Sequence, residues 1–237
     1  MPCYGDTVFI VKRKTDSYSF LQKLKYSRTL IVQPTLFSPI IQYVVLANAE
    51  SIDFEMEDNF QKQTYRNRYV IYGANGEQTL TVPIMHRLKG AKLKTKDIKI
   101  DYSTDWCKLH IRSLQSAYRS SPFYEFYEDD ILLLFYKKHK YLIDLNLDSF
   151  DRINECLQVN FNYKKTNEYQ QGIDKDQDYR FLANAKSKQH FILPEYTQVF
   201  DDKHGFIPNL SILDLIFNEG PNALMYLESS KKIILEN

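Results

Sequence analysis

Residues 29–57 read TLIVQPTLFSPIIQYVVLANAESIDFEME. The run Thr29 to Gln33 is apolar and β-branched and is ended by Pro34, the pattern of a short buried strand. Ser38-Pro39 then supplies a favoured N-cap and first-turn pair, and Ile40, Ile41, Val44, Val45 and Ala47 carry a largely apolar helix to about Ala49. Beyond it Ile52, Phe54 and Met56 alternate with Asp53, Glu55 and Glu57, the period of two expected of a half-buried strand. Strand, helix and strand within about thirty residues imply a parallel pair joined by a right-handed crossover.

Downstream, Arg68 to Tyr72 and Gln78 to Ile84 flank Gly73-Ala74-Asn75-Gly76, a hairpin signal because Asn and Gly tolerate positive φ. Ile98, Ile100 and Tyr102 alternate with Lys99 and Asp101 and predict another strand. Trp106, Leu109, Ile111, Leu114 and Tyr118 recur at helical spacing up to Arg119, and Ser120-Ser121-Pro122 restarts a helix that runs to Lys138. A further helix is expected over Phe150 to Leu157 with Asp148 or Ser149 as its cap, then a strand at Val159 to Tyr163. Lys164 to Asp178 is polar and reads as a surface connection. Near the end, Ser211 and Asp214 resemble a capping box, and Gly220-Pro221 stops the helix they begin. The expected architecture is α/β: a single domain with a mixed parallel and antiparallel sheet, a β-hairpin and a helix-rich second half.

Composition narrows the chemistry by exclusion. Among 237 residues there are only 7 glycines, and no two stand at the spacing of a dinucleotide fingerprint, a P-loop or a nucleophile elbow. The 3 cysteines are widely spaced and lack a C-x-x-C or Cys/His partner, which points to reduced thiols of a cytoplasmic protein. His86, His139, His190 and His204 show no ligand spacing, so no metal and no cofactor is expected. No apolar run approaches the length of a membrane span, and no secretory signal is recognisable at the N-terminus. A net charge of +1 and the absence of aromatic-basic interleaving argue against a nucleic-acid partner.

The charge is unevenly placed: residues 60 to 120 hold 12 Lys and Arg against 4 Asp and Glu. Within or beside that window lies a dense polar block, Glu57 to Arg68, which leaves the carboxyl end of the second strand close to where Gln33 leaves the first. In open α/β sheets ligands settle there. Arg66 and Arg68 suit a phosphate or carboxylate through paired N–H bonds, with Lys62 as a point charge; alternatively Glu57 and Asp58 neutralise these cations. Gln33 and Asn67 are candidates for orienting the ligand, a small anionic metabolite such as a nucleotide sugar. His110, four residues after Trp106, is a candidate acid or base with Tyr118 nearby, or else a half-buried structural histidine. The acid pairs Glu57-Asp58, Asp129-Asp130 and Asp201-Asp202 read as solvated.

Several stretches together resemble the WbqC-like family: Gln33-Pro34-x-x-Phe37-x-Pro39, Asn59-Phe60-Gln61-Lys62 through Asn67-Arg68, Leu80-Thr81-Val82-Pro83, Trp106-x-x-x-His110, Tyr118-x-x-x-Pro122-Phe123 and Pro208 to Leu215. Asp178-Tyr179-Arg180 and Tyr196-x-Gln198-x-Phe200 are similar to its Bacteroidetes-type branch. The likeness covers residues 28–237 and leaves 1–27 as an N-terminal extension. It implies a bacterial cytoplasmic protein associated with O-antigen or other surface-polysaccharide biosynthesis, and a transferase that adds an aminoacyl group such as glycine to an amino sugar. A non-catalytic metabolite- or protein-binding module is the alternative. Many members carry a histidine before Gln-Pro, where this chain has Val32.

Overall fold

A computed structural model describes residues 29–85, 93–187, 190–230 and 234–236. The N-terminal extension, Cys3, His86, Lys89 and Lys92 lie outside the described residues.

Strands β1 (Thr29–Val32) and β2 (Ser51–Phe54) pair in parallel, Leu30 opposite Ile52 and Val32 opposite Phe54. Between them runs α1 (Ile40–Ala47), in which every residue from Ile40 to Leu46 is buried. Each large aliphatic side chain so buried contributes about 1.5–3 kcal/mol, so α1 is a central core element and not a surface helix. Its one polar member, Gln42, is satisfied inside: Nε2 donates to the Gln33 carbonyl at 3.0 Å and Oε1 accepts from Thr35 Oγ1 at 3.1 Å. Ser38 does not cap this helix; its hydroxyl bonds to Thr35, and Pro39 occupies the cap position. The free N–H groups of the first turn go elsewhere, Ile40 N to the Leu210 carbonyl at 2.9 Å and Ile41 N to Asn209 Oδ1 at 2.9 Å.

The hairpin forms from β3 (Arg68–Gly73) and β4 (Gly76–Thr81). Its turn residues are Ala74 and Asn75, neither at positive φ; the left-handed step falls on Gly76, at φ 96°. Parallel and antiparallel pairing are thus both present but in separate small sheets: β1-β2-β5 is parallel throughout, with β5 (Tyr163–Lys165) on the far side of β2, and β3-β4 stands apart.

Three expectations shift. Ile98 to Tyr102 makes only isolated bridges, Ile84 with Ile100 and Lys99 with Tyr141, after a 3-10 turn at Thr95–Asp97. The helix expected at Phe150 begins much earlier, as α4 (Leu142–Cys156), after α2 (Trp106–Tyr118) and α3 (Tyr124–Tyr136). Ser149 sits inside it with its hydroxyl donating back to the Asn146 carbonyl; Tyr141 holds the cap position without a side-chain bond, and the first N–H, that of Leu142, bonds to the Ile98 carbonyl. The third concerns Val159 to Tyr163: extended pairing begins only at its last residue, Tyr163.

After β6 (His190–Ile192) and a short helix α5 (Asp201–His204), α6 (Ile212–Glu219) begins at Ser211, whose hydroxyl accepts from Leu213 N at 3.3 Å. Asp214 does not complete a capping box. Fully buried, it accepts from the Tyr196 hydroxyl at 2.5 Å and from Gln198 Nε2 at 2.8 Å, and Tyr118 bonds to it as well. Gly220, at φ 52°, ends α6, and α7 (Ala223–Ser229) follows a 3-10 turn. Among the described residues no helix is long and apolar enough to cross a membrane.

Candidate functional site

At the carboxyl ends of β1 and β2 the chain opens into a cleft of about 910 Å³. Gln33 enters it directly from β1, and Glu57, Asp58, Asn59 and Gln61 enter from the segment after β2. This edge of a parallel sheet is where strand-to-loop connections diverge and leave a crevice. The third wall comes from the segment read as a surface connection. Asp178 bridges in parallel to Ile31, and Tyr169, Ile173, Lys175, Asp178, Arg180 and Phe181 line the cleft.

The floor is built round an ion pair. Arg66 Nη2 donates to Asp58 Oδ2 at 2.5 Å, with both side chains almost wholly shielded, 3% and 6% exposed. The bond is end-on and leaves Arg66 Nε without a partner; Gln33 Oε1, also buried, has none either. Burial outweighs the nearby guanidinium and holds the Asp58 carboxyl above its ordinary range, an environment typical of functional carboxylates. Asp58 is therefore not the solvated acid that its adjacency to Glu57 suggests. Glu57 itself pairs with Lys94 and Lys96.

On the opposite wall Arg180 makes a bidentate pair with Asp178, Nε to Oδ1 at 2.8 Å and Nη2 to Oδ2 at 2.6 Å, and this holds the Asp178 carboxyl below its usual range. Nη1 of Arg180 reaches the Gln170 carbonyl at 2.9 Å and Glu55 Oε2 at 3.3 Å. Glu55, at 0% exposure, also accepts from Glu57 N, Thr166 Oγ1 and Gln170 N. A single buried carboxylate thus ties the end of β2 to the loop after β5, which is why this polar segment is folded onto the sheet. The Tyr169 ring lies over the guanidinium of Arg180 at 4.9 Å.

Of the residues singled out from sequence, the cleft brings together Gln33 and Arg66. Lys62 is exposed and outside the lining; Arg68 stands on β3 opposite Thr81, also outside it. Asn67 is buried and donates from Nδ2 to the Val82 carbonyl at 3.0 Å, fastening the entry to the hairpin. His110, 1% exposed, packs edge-on against Tyr69, Trp106 and Phe135. Its Nε2 lies 3.3 Å from the Thr81 carbonyl, which can only accept, so Nε2 carries the proton and Nδ1 accepts from the Tyr69 hydroxyl at 3.1 Å. Burial lowers its pKa to about 4. Tyr118 is fully buried, accepting from Tyr72 N at 3.1 Å and bonded to Asp214. Both residues lie in the interior and neither lines the cleft.

In the sequence Asp58 is legible only as a possible neutraliser of Arg66, and Asp178, Arg180 and Tyr169 are not legible as site residues, because nothing local shows that Glu55, at the end of β2, draws their segment onto the sheet. The available signal was the density of charge in Asp174 to Arg180 within an otherwise polar connection.

The model of the WbqC-like protein family matches residues 33–190 and 180–226. Over 204 residues the chain is 25% identical to the uncharacterized protein Rv1507c of Mycobacterium tuberculosis (strain ATCC 25618 / H37Rv), covering 74% of this chain and 87% of that one. No solved structure matches.

Proposed function

The chain belongs to the WbqC-like protein family, and on that premise we propose that it is a transferase acting on an activated sugar or other phosphorylated metabolite held in the cleft beyond β1 and β2. The observation that carries this reading is the meeting of Gln33, Asp58 and Arg66 on one buried floor at the carboxyl ends of parallel strands. In it Gln33 and Arg66 orient the substrate by hydrogen bonds. Asp58, shielded and poised above the usual carboxylate range, accepts the proton of an incoming hydroxyl or amine, the role that sequence reading assigned to His110. The family context extends the reading to surface-polysaccharide biosynthesis, with aminoacyl transfer to an amino sugar as the specific reaction.

A non-catalytic metabolite- or protein-binding module is favoured by one observation: no histidine or cysteine lines the cleft among the described residues. Isothermal titration with sugar phosphates and nucleotide sugars tests binding, and Asp58→Asn separates the two readings. An enzyme loses turnover in that variant while keeping affinity. Binding no tighter than about millimolar, or unchanged in Gln33→Ala, removes the cleft from consideration.

A further inference from the structure

Almost every charge at the cleft is already matched within the protein. Arg66 pairs with Asp58, Arg180 with Asp178 and Glu55, and Lys94 and Lys96 with Glu57. Among the described charged residues lining the cleft, Lys175 alone has no ion-pair partner. A diphosphate group brings at least two negative charges and needs uncompensated cations; here it would instead meet the carboxylates of Asp58 and Asp178. Fixed carboxylate–guanidinium pairs serve a different ligand well. They present rigid acceptors beside rigid donors, the complement of neighbouring hydroxyl groups, each of which both donates and accepts.

Two further features point the same way. The floor carries two unpartnered buried acceptors, Gln33 Oε1 and Asp58 Oδ1, and one unpartnered buried donor, Arg66 Nε. Two exposed aromatic rings also line the cleft, Tyr169 at 47% exposure with Arg180 against its ring and Phe181 at 37%, apolar surfaces against which the C–H face of a saturated ring buries area. We propose that the cleft recognises its ligand through an uncharged polyhydroxylated ring of the pyranose class, with any phosphate left at the rim beside Lys175. The inference rests on the sugar reading above and narrows it: the ring, not the phosphate, supplies the affinity.

The test is titration of the full chain with free hexoses and N-acetylhexosamines, with their 1-phosphates, and with nucleoside diphosphates lacking a sugar, at about 50 mM and about 500 mM NaCl. Free sugars should bind with nearly the same affinity at both salt concentrations. The 1-phosphates should gain no more than about ten-fold at low salt, and lose that gain in Lys175→Gln and at high salt. Tyr169→Ala should weaken sugar and sugar phosphate alike by about ten-fold. A nucleoside diphosphate that binds as tightly as the sugar 1-phosphates overturns the inference while leaving an activated-metabolite cleft in place. Failure of every ligand to bind overturns both.

Discussion

Arg66 meets Asp58 end-on through a single nitrogen, inside a cleft where each side chain is more than nine-tenths shielded from water. Removing one member of such a pair strands the other charge, at a cost of about 3–5 kcal/mol, whereas removing both leaves no uncompensated charge. Asp58→Ala and Arg66→Met should each destabilise by that amount in urea unfolding, and the double variant by clearly less than their sum. Additive single effects would show that the pair is not an energetic unit.

His110 should behave as a neutral core residue. Its folded pKa of about 4 lies below the ordinary 6.5, so the unfolded chain takes up a proton that the folded chain refuses. The resulting stability is fully present above pH 6.5 and is lost as pH falls toward about 4, a total of about 3 kcal/mol. The imidazole resonances should titrate near pH 4, and His110→Gln should flatten the stability profile across that window. A midpoint near 6.5 would refute the burial argument.

Gly220 is irreplaceable for two separate reasons. Its φ of 52° lies in the left-handed region, and an added Cβ would stand 2.5 Å from the ring of Phe123. Gly220→Ala should cost about 3–5 kcal/mol by thermal or urea unfolding. Adding Phe123→Ala removes the clash but not the backbone strain, so the double variant should recover only part of the clash component.

Asn209 holds φ 57° and caps α1 from a distance through its Oδ1 bond to Ile41 N. Asn209→Ala loses the cap and meets the strain, together about 2–3 kcal/mol; Asn209→Gly loses the cap only and should cost about 1 kcal/mol. Equal losses in the two variants would show that the left-handed conformation carries no cost.

The strand–helix–strand unit was legible because β-branched runs and alternation report local burial directly. The hairpin was too, although its glycine takes the left-handed step after the turn and not within it. What escaped was the depth of burial and the contacts made across the chain. The pairing of Asp58 with a nearby cation was one of the alternatives but its burial was not, and the 164–178 segment looks like a solvent-facing connection until Glu55 and Arg180 tie it down. The start of α4 was hidden for a related reason: its first N–H is satisfied by Ile98 rather than by a polar cap, so the usual marker is missing. His110 presents the reverse case, a residue type associated with catalysis that aromatic packing holds in the interior, outside the cleft lining.

The remote capping of α1 has a temporal side. The backbone N–H groups of Ile40 and Ile41 find their acceptors on Leu210 and Asn209, so the first helix of the described chain is completed by residues made near its end. During synthesis the central core helix must wait, its apolar face uncovered, until the chain beyond residue 208 has left the ribosome. Closing so long a loop makes folding late and slow. A nascent chain stalled before Asn209 should be digested by protease at α1, and one stalled well past α6 should resist.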